Sequence, residues 1–307
     1  MSEMQRILCP TDFSDCSEHA MLYAQALAKN AGASIDCLHV VNIGFLKDGV
    51  AEGIYVTSAD LNRSVNAIEN HAAEEMEKVV RRAKLRDVAV KGHTRKGHPA
   101  EEIAKAAHEL GCGMIVIATH GQSKLERLMF GSVANRVVRL STVPVLTVKT
   151  HEHEFVDDDD RSINIKRVLC PLDFSEFSQE ALPHAVNLCR DFGATLVLCH
   201  VVDPRMDYAE WTAQAMVNNS EHLVAASQTH LEQLVEQIKG LSTEVKVIIG
   251  VPASTLIGLV EEENIDLVVM PTHGRKGISH ALLGSTAETL ATKAPCPVLT
   301  VHPNDEA

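Results

Sequence analysis

The sequence predicts two tandem α/β domains, each built on a five-stranded, parallel, doubly wound sheet. Three observations carry this. The first is an internal repeat. Ile7-Leu8-Cys9-Pro10-Thr11-Asp12-Phe13-Ser14 returns as Val168-Leu169-Cys170-Pro171-Leu172-Asp173-Phe174-Ser175, and Pro144-Val145-Leu146-Thr147-Val148 returns as Pro297-Val298-Leu299-Thr300-Val301. A repeat of this kind sets the architecture before any single residue is read. The second is that short apolar runs alternate with helical patterns in each copy, as βα units around a parallel sheet require. The third is length: half of 307 residues is enough to bury a self-sufficient core.

The elements follow in order. Strands are predicted near 6–10, 34–41, 88–94, 114–118 and 144–148, then near 166–171, 195–202, 244–249, 266–270 and 297–301. Ala20, Ala24, Leu27, Ala28 and Ala31 recur at spacings of three and four and predict a helix over 16–31. Ser14 and Ser175 stand where helix N-caps belong, Gly32 and Gly193 where C-cap glycines belong, and Pro99 and Pro252 where first-turn prolines belong. Long helices near 60–85 and 210–239 are charged on one face and cover the sheet. Matching residues lie 161 positions apart at the start (Asp12 and Asp173) and 153 apart from Gly97 and Gly250 onward, so the first copy holds eight extra residues between. The domains are therefore 1–150 and 165–307. Residues 151–164, with four successive Asp at 157–160, read as an acidic linker.

Composition narrows the partners. The chain carries 41 acidic and 28 basic residues, a net charge of −13. That argues against nucleic acid and against an anionic membrane surface, both of which call for clustered Lys and Arg. No apolar run approaches the roughly 20 residues that span a bilayer. The N-terminus enters a strand directly, with no signal-peptide pattern, and a cytoplasmic location is expected. Cys9, Cys37, Cys170 and Cys199 sit inside apolar runs without a Cys-x-x-Cys pair, which reads as buried free thiols and no metal site.

The repeated polar motifs fall at strand ends. Thr119-His120-Gly121, nine residues, then Gly131-Ser132 returns as Thr272-His273-Gly274, nine residues, then Gly284-Ser285. Each copy runs from a buried strand through a loop into a helix. Glycine permits close backbone approach and positive φ, and a helix N-terminus favours anions. The layout fits a phosphate cradle, or else a tight turn with Ser132 as a helix cap. It lacks the Gly-Lys-Ser/Thr ending of a Walker A loop. Asp12 and Asp173 follow the first strand, placed to take hydrogen bonds from a base or ribose, to hold a phosphate-bound metal, or to cap the next helix. If strands one and four are neighbours, these loops share one crevice. His39 and His200 read as structural, His120 and His273 as possible phosphate contacts, and His151 and His153 as a weak metal pair. No residue is assigned a catalytic role.

Pro-Thr-Asp-Phe-Ser, Leu-His-Val-Val, Ala-Thr-His-Gly-x9-Gly-Ser and Val-Pro-Val-Leu-Thr-Val, in this order and found twice, resemble the universal stress protein family. The chain is similar to a tandem member across almost its whole length. The resemblance implies flavodoxin-like domains of the adenine nucleotide alpha hydrolase-like kind and, in the family's ATP-binding branch, a Gly-x-x-Gly-x9-Gly-Ser/Thr motif. It implies that Pro10, Thr11, Asp12 and Val41 line the adenine and ribose end. Ala118, Thr119, His120, Gly121, Gly131, Ser132 and Val133 would hold ribose and phosphates. The matching set in the second copy is Pro171, Leu172, Asp173, Val202, Pro271, Thr272, His273, Gly274, Gly284, Ser285 and Thr286.

Both copies depart from the family pattern. Ala118 and Pro271 replace the first motif glycine, and Leu172 replaces the hydroxyl of Thr11. Proline removes an N–H that a ligand could use, so the first site is expected to be the better nucleotide site. The resemblance further implies ATP with Mg²⁺, pairing through the last strand as a pseudo-dimer within the chain, a homodimer of chains and an unknown protein partner. A nucleotide-dependent signalling or protective module is the leading expectation. A slow ATP hydrolase and a scaffold that binds no nucleotide are the rivals.

Overall fold

The computed structural model describes residues 5–42, 58–84, 88–119, 131–149, 155–156, 162–204, 213–273 and 283–302. The chain divides into two compact units, Ser2–Thr150 and His151–Ala307.

The first unit runs β1 (Arg6–Pro10), α1 (Asp15–Ala31), β2 (Ser34–Val41), α2 (Ser58–Lys84), β3 (Val90–Lys96), α3 (Pro99–Glu109), β4 (Met114–Ala118), α4 (Ser132–Leu140) and β5 (Val145–Val148). All strands are parallel, in the order β3-β2-β1-β4-β5. The doubly wound class is the one expected. The order itself differs from the 2-1-3-4-5 of flavodoxin. Right-handed crossovers that travel one way from β1 to β3 and the other way from β3 to β5 put α1 and α2 on one face and α3 and α4 on the other.

The physical reasons are local. β1 and β4 are buried on both faces, so their sequences read as continuous apolar runs. Ile7, Leu8 and Ile115 are fully buried, each stabilising the fold by about 1.5–3 kcal/mol relative to exposure. α1 lies close to the sheet because its inner face carries Ala20, Ala24 and Ala28. Ser14 caps it by accepting from Ser17 N–H, and Gly32 ends it at φ 64°. β3 is an edge strand with Lys91, His93, Arg95 and Lys96 along it, a polar edge that discourages further pairing.

The second unit repeats the plan: β6 (Arg167–Pro171), α5 (Glu176–Phe192), β7 (Thr195–Val202), α6 (Ala213–Gln237), β8 (Thr243–Ile249), α7 (Pro252–Glu262), β9 (Leu267–Pro271), α8 (Ser285–Lys293) and β10 (Val298–Val301). Its strand order is β8-β7-β6-β9-β10, again parallel. Ser175 and Gly193 cap α5 as Ser14 and Gly32 cap α1. Ahead of β6, Val156 and Ile163 form an isolated antiparallel bridge inside the expected linker. Asp157–Asp160, His151 and His153 lie outside the described residues. Among the described residues, no helix is long and apolar enough to cross a membrane.

One feature of the sheets positions a site. β1 pairs with β4 through only Ile7–Met114 and Leu8–Ile115, and β6 with β9 through only Val168–Leu267 and Leu169–Val268. Beyond those pairs the carboxyl ends of the two central strands separate. The strand order reverses at this point, where doubly wound sheets open a crevice.

Candidate functional site

The loop after β1 forms one wall of the first crevice. Thr11 N–H donates to Leu38 carbonyl oxygen at 2.8 Å, which holds the loop against β2. The Thr11 hydroxyl accepts from Phe13 N–H at 3.0 Å and lies 3.0 Å from Ser17 Oγ. Asp12 Oδ1 accepts from Ser14 N–H at 3.1 Å and from Ser14 Oγ at 2.5 Å. Asp12 therefore orders the turn that presents the Ser14 cap. Asp173 repeats both bonds with Ser175, at 3.0 and 2.5 Å.

Phe13 and Phe174, which sequence reasoning passed over, adopt φ 64° and 61°. This left-handed region costs a bulky residue free energy, on the order of 1–3 kcal/mol. The conformation lays each ring on a histidine from the second strand. Phe13 stacks on His39 with centroids 4.4 Å apart, and Phe174 stacks on His200 at 4.3 Å. His39 Nδ1–H donates to Thr11 carbonyl oxygen at 2.8 Å, and His200 Nδ1–H to Leu172 at 2.6 Å. Each histidine ties the loop after the first strand to the second strand, and each also lines a cavity. The signal was present in the sequence as the repeated pair of Phe after Asp and His near the second strand's end, but the positive φ was not legible there.

The opposite wall is the end of β4 and the start of α4. Gly131 N–H donates to Thr119 carbonyl oxygen at 2.7 Å, and Gly284 N–H to Thr272 at 2.8 Å. These bonds bring the two ends of the repeated motif together. Gly131 is the N-cap of α4 with φ −54° and ψ 133°, and Gly284 caps α8 with φ −60° and ψ 140°. Neither takes the positive φ that glycine permits, so any residue could adopt this backbone. Ser132 and Ser285 are first-turn residues, and among the described residues no side chain caps either helix. The first turn of α4 presents the positive end of the helix dipole and holds no acidic residue, whereas the first turn of α8 holds Glu288.

Ile115 and Thr119 donate their N–H groups to β5, at 2.9 and 3.0 Å. Amides alternate sides along a parallel strand, so that of Ala118 lies on the β1 side, at the crevice. Pro271 occupies the same place in the second unit and has no N–H.

Pro10, Thr11, Asp12, Val41, Ala118, Thr119, Gly131, Ser132 and Val133 thus gather at the carboxyl end of the first sheet, with Val41 and Thr119 buried in its wall. Pro171, Leu172, Asp173, Val202, Pro271, Thr272, His273, Gly284, Ser285 and Thr286 all line one cavity of about 660 Å³ in the second unit. His120, Gly121 and Gly274 lie outside the described residues. A cavity of about 400 Å³ in the first unit is bounded by Asp12, Phe13 and His39 and by Ile68, His71, Ala72 and Glu75 of α2. The long helix of the second unit therefore walls its crevice as well as covering its sheet, whereas the first-unit cavity includes Asp12 alone of the expected site residues. α6 contributes His230, whose ring meets Phe174 edge-on at 4.6 Å.

The thiols beneath the crevices are inert. Burial pushes Cys37 and Cys199 up to about 12 and Cys9 and Cys170 well above the ordinary value. None of the eight cysteines forms a disulfide.

The model of the universal stress protein family matches residues 3–149 and again 164–302. A universal stress protein of Mycolicibacterium smegmatis is 27% identical over 310 residues, covering 97% of each chain. A universal stress protein of Methanocaldococcus jannaschii is 33% identical over 155 residues, which is 47% of this chain and 94% of that protein. The crystal structure of a universal stress protein from Archaeoglobus fulgidus superposes with a TM-score of 0.71 at 24% identity, covering 98% of this chain and 97% of that one, which shows the shared fold.

Proposed function

Because the chain belongs to the universal stress protein family, with two copies of the family's domain, we propose that its first half binds ATP in the crevice between β1 and β4. The observation that carries this reading is the α4 N-terminus. It is drawn to the end of β4 by the Thr119–Gly131 bond, no side chain among the described residues caps it, and its first turn holds no acidic residue. A polyphosphate meets first-turn amides and the helix dipole there, and needs no further cation to be favoured. The Ala118 N–H adds a donor from the strand end. Pro10, Thr11, Asp12 and Val41 form the wall for base and ribose. Asp12 would be the carboxylate of the β1 loop to hold Mg²⁺ bound to the phosphates.

The residues support a binding module. Asp12 Oδ1 already accepts two bonds from Ser14, and hydrolysis of ATP requires a group that positions the attacking water. Nucleotide occupancy is then the state that the stress-response protein presents to a protein partner. Isothermal titration of nucleotide-stripped protein with ATP and Mg²⁺ tests the reading. One site, weakened at least tenfold by Gly131→Val, supports it, and an unaltered isotherm in that variant refutes it. A steady phosphate release abolished by Asp12→Asn would instead favour the hydrolase.

A further inference from the structure

The two crevices share the strand-to-helix bond and the aspartate after the first strand, but differ at positions that bear on nucleotide recognition. In the second, Leu172 stands where the first has the Thr11 hydroxyl, and it is 3% exposed in the cavity wall. Pro271 offers no N–H where Ala118 offers one. The first turn of α8 carries the carboxylate of Glu288, where the matching position of α4 is Asn135. A carboxylate in this turn already meets the helix dipole and repels a second anion. Asp173 and Asp203 line the cavity, and no Lys or Arg does so among the described residues. Asp203 stands where the first unit has Asn42, so a triphosphate placed there would meet an acid that the first crevice lacks.

The same cavity suits a different ligand. Its volume of about 660 Å³ is that of a small-molecule pocket. The walls are supplied by Leu172, Val202, Leu223, Leu256, Met270 and Leu283, drawn from the sheet, from α6 and α7, and from the segment before α8. Covering such surface stabilises a complex in proportion to the apolar area removed from water.

We propose that the crevice of the second half is a binding site for an uncharged, largely apolar small molecule and has lost the capacity to bind nucleoside triphosphate. Two halves of common plan would then answer to two ligands of different chemistry.

The test uses the full chain and N-phenyl-1-naphthylamine, an uncharged arene whose fluorescence rises in apolar surroundings. Saturable binding to one site is expected, undisturbed by excess ATP. Ala226→Trp, which fills the α6 wall, and Leu223→Gln, which keeps its size but makes it polar, are each expected to weaken the dye at least tenfold. Circular dichroism checks the fold, and the second variant serves where the first disturbs it. Failure of the dye to bind, displacement of the dye by ATP, indifference to both folded variants, or an ATP site lost in Gly284→Val would each overturn the proposal. The nucleotide reading of the first half stands or falls separately, because dye binding is expected to survive Gly131→Val unchanged.

Discussion

Gly131 donates its N–H to the carbonyl oxygen of Thr119 at 2.7 Å, closing the base of an eleven-residue excursion between β4 and α4. The same bond joins Gly284 to Thr272 in the second unit. It fixes where each helix N-terminus stands relative to its strand end. Because φ at Gly131 is −54°, Gly131→Ala keeps both backbone and bond. Gly131→Pro also fits that φ but removes the donor. Thermal unfolding should place Gly131→Ala within about 0.5 kcal/mol of the parent and Gly131→Pro lower by about 0.5–1.5 kcal/mol, the net contribution of one hydrogen bond. Equal stability of the two would mean that the bond contributes nothing.

The strained Phe13 gives a second prediction. Phe13→Gly removes the ring and relieves φ 64°, whereas Phe13→Ala removes the ring and keeps a Cβ in that region. Both variants lose the stack on His39. The alanine variant should be less stable than the glycine variant by about 1 kcal/mol in urea unfolding. The reverse order would mean that the loop changes its backbone when the ring is gone.

Much of this architecture was legible because it rests on local chemistry stated twice. Ser14, Gly32 and Pro99 mark helix ends by capping and by fixed φ, and the strands matched to within two residues because buried parallel strands are unbroken apolar runs. Strand order was not legible, since any order satisfies the same periodicity. Neither was the role of the Thr11 hydroxyl, which is used inside its own loop, because that depends on Phe13 turning into the left-handed region. Glycine permits positive φ in this motif, yet Gly131 and Gly284 both take negative φ. Only the position of a loop against a strand end could have revealed this. The second crevice could be read from sequence as a weakened nucleotide site, but the walls contributed by α6 and α7 come from residues remote in the chain.

The cysteines supply a chemical prediction. Cys16 is half-buried, and the other seven are buried. Burial raises Cys112 to about 11 and Cys189 to about 12. Thiolate is the reactive form, so a thiol reagent applied to native protein near pH 8 should modify Cys16 first and the rest only on unfolding. Mass spectrometry of the labelled peptides reads the outcome, and rapid native labelling of Cys9 or Cys170 would contradict the packing.

At the amino end of the second sheet, Arg167 holds Glu244 through two bonds of 2.8 Å and Glu263 at 2.9 Å. The hydrogen bond from Arg167 is the main cause that lowers the Glu244 carboxyl below its ordinary 4.5. A carboxyl lowered by folding contributes stability above its unfolded value and loses it as pH falls through the folded one. Melting temperature should therefore decline less steeply on acidification below about pH 4.5 in Glu244→Gln than in the parent. Parallel curves would show that the exposed pair contributes no measurable linkage.

The central claim is that ATP enters the first crevice. Photolabelling of nucleotide-stripped protein with 8-azido-ATP, followed by peptide mapping, addresses it most directly. The account predicts one labelled region in the first half, at the walls formed by the β1 loop and the end of β2, protected by unlabelled ATP and lost in Gly131→Val. Protected label confined to the second half, or label that unlabelled ATP does not displace, would contradict it.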